Sequence, residues 1–294
     1  MVVIYFYSGF RERMGRESIE IDVDEVLRFG DLLLLTPEVR RVLEEFDSRG
    51  VPYAIVVDGV NILLGEGLDH IVRPDSKIKM FTYVSGGFQE IYSAYKVYKE
   101  DIDRRIREFS HVIECGGDRI LLELLFCLCT PQNKALRCWD FVKKLYLTGV
   151  YRKGDPASIR RLASGIRFKN RKSRYMADAI KLFNEGGLDW ILDREYGDVE
   201  AREALVMGVR GIGYKEASHF LRNIGYSFEL AILDRHILRW MARYRLVNRP
   251  IKTLTRRRYY MLEMRFRWFA RMLRLSPAEL DLLLWALETG YVFK

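Results

Sequence analysis

The side chains best suited to covalent chemistry lie around a short glycine turn, at Gly211, Gly213 and Lys215. Two glycines that flank one apolar residue let the backbone pass very close to another surface. The free N–H groups that open the following helix form an anion site, which suits a DNA phosphate. With Arg210, the two glycines are therefore candidate DNA contacts. An ordinary turn between two packed helices is the alternative interpretation.

The residues after the turn predict a helix that runs to about Asn223, with Gly225 as a left-handed stop. Lys215 then falls in the first turn, where the helix dipole is positive and a cation is disfavoured. With some burial, that end of a helix favours a neutral amine, which is the form that attacks carbon as a nucleophile. A surface lysine that pairs with Glu216 or with a phosphate is the alternative.

Asp234 stands where an apolar run meets a second predicted helix. An aspartate at this place accepts hydrogen bonds from the first N–H groups of the helix and acts as its N-cap. A capping carboxylate is rigid and ionised, as a developing positive charge beside it requires. The capping role and a catalytic role are therefore compatible.

The segments GVRGIGYKEASHFLRN and AILDRHILRW closely resemble the helix-hairpin-helix DNA glycosylases, a superfamily that includes endonuclease III. Its members share a glycine hairpin, a catalytic lysine and a downstream aspartate. Among its members, the archaeal-type 8-oxoguanine DNA glycosylase/AP lyase subfamily is the one most similar to this chain, in the segments KEASHFLRN and ILDRHIL and in the final lysine. The resemblance covers roughly residues 90 to 294.

The resemblance implies a monomeric enzyme that flips 8-oxoguanine out of double-stranded DNA and excises it. Lys215 would form a Schiff base with the sugar, Asp234 would stabilise the cationic sugar, and β-elimination would cleave the strand. No cofactor is required, although a monovalent cation can bind at the hairpin carbonyls. Another damaged or mismatched base is the runner-up substrate.

The resemblance also points to residues outside the hairpin. Gln132 and Asn133 match the place where related enzymes insert a polar side chain into the gap that the flipped base leaves. A polar loop in which Asn133 caps the next helix is the alternative. Phe168, in the segment GIRF, Trp285 and Lys294 are candidates for the base pocket. From physics alone, Trp285 is a core residue and Lys294 a frayed end.

The distribution of charge along the chain agrees with a protein that binds a polyanion. Residues 1–88 contain 10 Lys and Arg against 15 Asp and Glu, whereas the remainder contains 39 against 25. The basic part is expected to bind nucleic acid.

Endonuclease III relatives hold an iron-sulfur cluster near the C-terminus, but no cysteine follows Cys138 here. We therefore expect reduced thiols, no cluster and no metal site.

The first residues, 1–7, are apolar but short and lack a basic leader, so we expect neither a signal peptide nor a membrane span. The expected location is the cytoplasm, in association with the nucleoid. The length allows two domains, and the predicted elements together with the resemblance imply a multidomain α+β protein. Residues 1–87 would form a small mixed sheet, and residues 88–294 a mostly helical domain in which residues 120–128 form a central buried helix.

The predicted elements of the first domain are strands at 2–7 and 18–23 joined as a hairpin around Gly15, a helix at 37–48, and strands at 53–57 and 78–83. This segment ends in Gly86-Gly87 and resembles the ubiquitin-like β-grasp sulfur carriers of molybdopterin and thiamine synthesis. Those carriers react at a free terminal glycine, but here Phe88 follows. A structural add-on, a carrier released by proteolysis and a plain linker are the three alternatives.

Two rival functions come from other classes. The chain could be a DNA-binding module without catalysis, which would bind DNA but form no covalent adduct. It could also be a sulfur-transfer protein, in which the second domain docks a partner. A thiocarboxylate at a freed Gly87 would support the latter.

Overall fold

The computed structural model describes residues 1–51, 53–82, 89–247, 251 and 254–294. These residues form two compact units. The first comprises Met1–Arg105 and Leu280–Phe293, and the second comprises Ile106–Glu279 and Lys294. The predicted diglycine, Gly86-Gly87, lies outside the described residues, as does the end of the strand predicted at 78–83.

The first unit contains a five-stranded mixed sheet and a separate two-stranded ribbon. The strands of the sheet are β1 (Val2–Phe6), β2 (Ser18–Ile21), β4 (Tyr53–Val57), β5 (Val60–Asn61) and β7 (Lys77–Thr82), and those of the ribbon are β3 (Leu27–Arg28) and β6 (Ile71–Val72). The order in the sheet is β2-β1-β7-β4-β5. The pair β1 and β7 is parallel, and the other pairs are antiparallel. The short strand β5 therefore lies at one edge.

The helices of the first unit are α1 (Ser8–Met14), α2 (Phe29–Leu35), α3 (Pro37–Ser48), the part of α4 (Gln89–Ser110) up to Arg105, and most of α15 (Pro277–Thr289). The helix α3 has the predicted bounds, because its buried residues recur at helical spacing. They share a core with the inward-facing residues of β1.

One element of this unit differs from its prediction. The strands β1 and β2 do pair antiparallel, but the helix α1 connects them instead of a turn around Gly15. This helix buries Phe10 completely against Phe46, with ring centroids 4.8 Å apart in an edge-to-face arrangement. Gly15 ends the helix in a left-handed conformation, with φ 65°. The stabilisation gained by burying the Phe10 ring therefore favours a helical connection over a simple hairpin turn.

The second unit is helical. Besides the end of α4, it contains α5 (Gly117–Cys129), α6 (Ala135–Leu147), α7 (Val150–Lys153), α8 (Pro156–Leu162), α9 (Lys169–Asn184), α10 (Trp190–Asp193), α11 (Asp198–Gly208), α12 (Tyr214–Asn223), α13 (Arg235–Arg243) and α14 (Arg256–Met272). Every residue of α5 from Ile120 onward is buried, as predicted for a central helix. It packs against α6, α9 and α12. Together the two units make a mostly helical α+β protein.

Within the part of the chain that the structure describes, no helix has the length and apolar composition needed to cross a membrane.

Candidate active site

The glycine hairpin joins α11 to α12, as the sequence predicts. Gly211 has φ +92°, and a Cβ atom on it would overlap the ring of Tyr175. Only glycine fits this position, because both the backbone angle and the space exclude a side chain. Gly213 differs, since its φ is −107° and a Cβ atom there would lie 3.2 Å from the Glu216 carboxylate. The second glycine is thus not required by its backbone conformation.

Lys215 lies in the first turn of α12, and its side chain is 23% exposed. Its Nζ is 3.4 Å from Oε1 of Glu216, which is a loose ion pair. The rest of the helix, from Ala217 to Asn223, is buried. The structure therefore fixes the backbone that bears Lys215 and leaves its amine within reach of solvent.

Asp234 is the N-cap of α13. Its Oδ1 accepts hydrogen bonds from the backbone N–H groups of His236, at 2.8 Å, and Ile237, at 2.9 Å. The predicted cap is therefore confirmed. Two backbone donors hold this half-buried carboxylate in one orientation.

A buried cluster forms around Glu123, a residue of α5 that is fully buried. Its carboxylate forms an ion pair with Nζ of Lys294 and accepts a hydrogen bond from the side-chain amide of Asn223 at 3.1 Å. The Lys294 ammonium also lies 3.3 Å from the ring centroid of Trp139 and 5.4 Å from that of Phe126. These contacts combine an ion pair with two cation–π contacts. Lys294 is therefore not the frayed end that physics alone suggested.

Burial lowers the pKa of Lys294 to about 8, although the charge of Glu123 opposes this effect. Sequence reasoning missed Glu123, Trp139 and Asn223. The sequence did contain one signal, because Glu123 is the single charge in the apolar run 120–128. A lone buried charge needs a partner, but the run itself does not identify Lys294.

His219 lies on the same helix as the hairpin lysine and contacts Phe126 of this cluster. It lies one helical turn after Lys215 on α12, and its ring meets that of Phe126 edge-to-face with centroids 5.6 Å apart. Burial lowers the pKa of His219 well below its ordinary value, and the positive charges of Arg222, Lys215 and Lys294 lower it further. The charges of Lys215 and Lys294 also act on the buried thiol of Cys127, where burial dominates and raises the pKa.

The loop after α5 holds Gln132 and Asn133 in different roles. The Asn133 amide donates to the carbonyls of Cys129 and Pro131, at 3.0 and 3.2 Å, and its Oδ1 accepts from the N–H of Arg167 at 2.9 Å. The alternative that Asn133 caps α6 is wrong, because the N-cap is Lys134. Gln132 is exposed and has φ 61°.

Phe168 is half exposed and has a left-handed backbone immediately before α9. The guanidinium of Arg171 lies 5.3 Å from its ring centroid. A surface cavity of about 540 Å³ is lined by Gly165, Ile166, Phe168, Lys169, Asn170 and Arg171. This cavity combines an aromatic ring with positive charge, as base stacking beside a phosphate requires.

The remaining predicted site residues are Arg210 and Trp285. The side chain of Arg210 is 71% exposed, lies over the ring of Tyr175 at 5.4 Å and is 3.5 Å from the Asp178 carboxylate. Trp285 belongs to α15 in the first unit and is half-buried. Among the described residues there is no group of three or more His, Cys, Asp or Glu that could hold a metal ion.

Comparison with known proteins identifies one family for the helical part. A family model described as 8-oxoguanine DNA glycosylase matches residues 102–275. An 8-oxoguanine DNA glycosylase/AP lyase of Fusobacterium nucleatum is 36% identical over 213 residues, which cover 70% of this chain and 97% of the relative. One from Thermoplasma volcanium is 35% identical and covers 66% of this chain and 91% of the relative.

Similar solved structures belong to the same family of glycosylases. The 8-oxoguanine DNA glycosylase of Methanocaldococcus jannaschii matches with a TM-score of 0.64 and 33% identity, covering 70% of this chain and 95% of that protein. The same enzyme in complex with a 15mer DNA containing 8-oxoguanine matches with a TM-score of 0.63 and 32% identity, covering 69% and 99%. That of Thermotoga maritima matches with a TM-score of 0.62 and 30% identity, covering 70% and 98%. The matched relatives thus leave about 30% of this chain uncovered.

Proposed function

Because the chain belongs to the 8-oxoguanine DNA glycosylase family, we propose that it excises 8-oxoguanine from duplex DNA and then cleaves the strand as an AP lyase. The observation that carries this proposal is the placement of Lys215. It stands at the start of α12, directly after the glycine hairpin, with a rigid backbone and a partly exposed amine. These properties suit a nucleophile that must reach a sugar carbon.

The hairpin is the proposed phosphate site. The N–H groups of Gly211 and Gly213 would bind a phosphate beside the lesion, with Arg210 as a further contact and a monovalent cation at the hairpin carbonyls. Gln132 would fill the gap in the duplex, and Asn133 would shape its loop. The exposed side chain of Gln132 and the internal hydrogen bonds of Asn133 support this division.

In the proposed reaction, the Lys215 amine forms a bond to C1′ as the bond from C1′ to the base breaks. The electron pair of the broken bond leaves with the base, and Asp234 stabilises the positive charge on the sugar. Loss of a proton from the attached nitrogen and opening of the sugar ring give the Schiff base. Removal of a proton from C2′ then expels the 3′ phosphate oxygen, which cleaves the strand on the 3′ side of the lesion.

Base recognition is assigned to three residues. Phe168 and Trp285 would stack on the flipped base, and Lys294 would read its polar edge. The exposed ring of Phe168 beside Arg171 supports the first assignment. The buried ammonium of Lys294, held by Glu123 beside the ring of Trp139, supports the last. Trp285 is assigned on the family resemblance alone.

We also propose that residues 1–87 form a β-grasp domain attached to a glycosylase domain at 88–294. The sheet order β2-β1-β7-β4-β5, with a central parallel pair and the helix α3 packed on it, supports a β-grasp arrangement. Processing after Gly87 would give a sulfur carrier, and an intact mass that ends there would support that alternative. We propose a monomer located in the cytoplasm with the nucleoid.

A panel of labelled duplexes tests the substrate assignment. Each duplex contains one 8-oxoguanine, thymine glycol, mismatched adenine or abasic site, and an undamaged duplex is the control. We expect base release and strand cleavage to be fastest with 8-oxoguanine. Cleavage of the abasic duplex alone would retain the lyase and remove the base assignment, and binding without any product would favour the non-catalytic module.

A further inference from the structure

A buried ion pair within the helical unit holds the segment that leads to Asp234. Arg202 of α11 is fully buried, and its guanidinium donates two hydrogen bonds to the carboxylate of Glu263 on α14, at 2.6 and 2.8 Å. The same carboxylate accepts a hydrogen bond from the backbone N–H of Ala231 at 2.9 Å. A bidentate pair fixes both side chains in one orientation, so Glu263 offers a fixed acceptor to this segment.

The hydroxyl of Tyr259, one turn earlier on α14, contacts the same segment and also α12. It donates a hydrogen bond to the carbonyl of Ala231 at 2.6 Å, and the N–H of Leu233 lies 3.5 Å from its oxygen. The hydroxyl of Ser218 on α12 lies 3.3 Å from the same oxygen. Burial raises the pKa of Tyr259, so the hydroxyl keeps its proton. Because Ala231 accepts that single proton, Ser218 is the donor to Tyr259.

These contacts connect the two helices that carry the proposed catalytic groups. Ser218 lies three residues after Lys215 on α12, and Leu233 directly precedes the N-cap Asp234. We propose that Tyr259 is a positioning residue that fixes the placement of Asp234 relative to Lys215 for base release. The inference rests on the proposed catalytic role of Asp234. Tyr259 acts through the backbone that bears this carboxylate.

The N-cap of α13 does not by itself provide this placement. Its hydrogen bonds orient the Asp234 carboxylate with respect to α13, whereas the contacts of Tyr259 relate the start of α13 to α12. A charge that is already in place stabilises a developing positive charge without moving during the reaction. A misplacement of about 1 Å can cost about 100-fold in rate. The hydroxyl of Tyr259 is therefore expected to affect the rate of base release.

Tyr259→Phe removes only the hydroxyl, and Tyr226→Phe is its matched control. The buried Tyr226 donates to the backbone carbonyl of Tyr196 at 2.6 Å, which is the same kind of bond at the same length. It holds the start of the loop between α12 and α13 to the segment before α11. We expect Tyr259→Phe to release 8-oxoguanine roughly two- to tenfold more slowly than Tyr226→Phe in single turnover, the effect of one hydrogen bond. The affinity for the duplex should be equal in the two variants.

Combination with Asp234→Asn shows whether Tyr259 acts through Asp234. In the Asp234→Asn background, Tyr259→Phe should slow base release by less than about twofold, because the charge that it positions is absent. Its loss of thermal stability should be the same in both backgrounds, since the same hydrogen bonds are removed. A merely structural role would instead slow base release equally in both.

Equal base release by Tyr259→Phe and Tyr226→Phe would overturn the positioning role, and so would equal slowing by Tyr259→Phe in both backgrounds. With either result, a slow Asp234→Asn leaves the proposed function standing. If Asp234→Asn releases the base at the wild-type rate, the proposed role of Asp234 is wrong and the positioning role with it. Should Tyr259→Phe fail to fold, Ser218→Ala removes the partner hydroxyl on α12 and replaces it in the same comparisons.

Discussion

Lys215 and Lys294 belong to the same helical unit, yet their surroundings are opposite. The side chain of Lys215 is 23% exposed and has a loose partner in Glu216, the next residue along the chain. The side chain of Lys294 is 3% exposed and has Glu123, far away in sequence, as its ion-pair partner. The first arrangement leaves an amine available to react, whereas the second fixes an ammonium in place. The comparison separates a proposed nucleophile from a proposed reader of the base.

Removing Glu123 would sharpen this contrast most strongly. In Glu123→Ala the Lys294 ammonium and the Asn223 amide both lose their buried acceptor. Breaking a buried ion pair from one side costs about 3–5 kcal/mol, because the remaining charge is uncompensated. We expect a loss of this size in the free energy of unfolding measured with denaturant.

The double variant Glu123→Ala with Lys294→Met is the control. It removes the stranded charge, so it should recover part of the lost stability. The same free energy of unfolding in the single and double variants would show that the uncompensated charge of Lys294 is not the cause of the loss.

The titration of Lys294 is expected to give the next largest effect on the free energy of unfolding. Its pKa falls from 10.5 to about 8 on folding, so between these values the unfolded chain binds more protons than the folded one. Stability therefore rises with pH across that window, by about 3 kcal/mol for this group. The difference in unfolding free energy between wild type and Lys294→Met should shift by this amount in favour of wild type from pH 8 to 10.5. A difference that stays constant with pH would contradict the buried ammonium.

Substitutions of Asp234 are expected to have the smallest effect on stability, and two of them separate its role as an N-cap from its role in base release. Asn also caps helices, so Asp234→Asn should keep the stability of α13 and slow base release, because the carboxylate charge is lost. Asp234→Ala should also lose about 1 kcal/mol of stability with the cap. Thermal unfolding and single-turnover base release measure the two properties. Unchanged base release in Asp234→Asn would reduce Asp234 to a cap.

The two lysines also show what the sequence could predict. The placement of Lys215 and Asp234 depends on local signals, a glycine turn and an N-cap, so the helix starts were predictable. The burial of Lys294 depends on Glu123, which lies 171 positions earlier, and no local pattern specifies such a pairing. The helix α1 was missed for a related reason, since it forms to bury Phe10 against Phe46 of another helix. Contacts between residues far apart in sequence determine both the burial of Lys294 and the formation of α1.

The most direct test of the central claim is borohydride trapping on a duplex that contains one 8-oxoguanine. Borohydride reduces a Schiff base to a stable bond, so wild type should give a covalent protein-DNA band whose adduct maps to Lys215. Lys181→Gln, which removes an exposed lysine of α9, should trap as wild type does. Lys215→Gln should bind the duplex and give no band. A band of wild-type intensity from Lys215→Gln would contradict the assignment of Lys215 as the nucleophile.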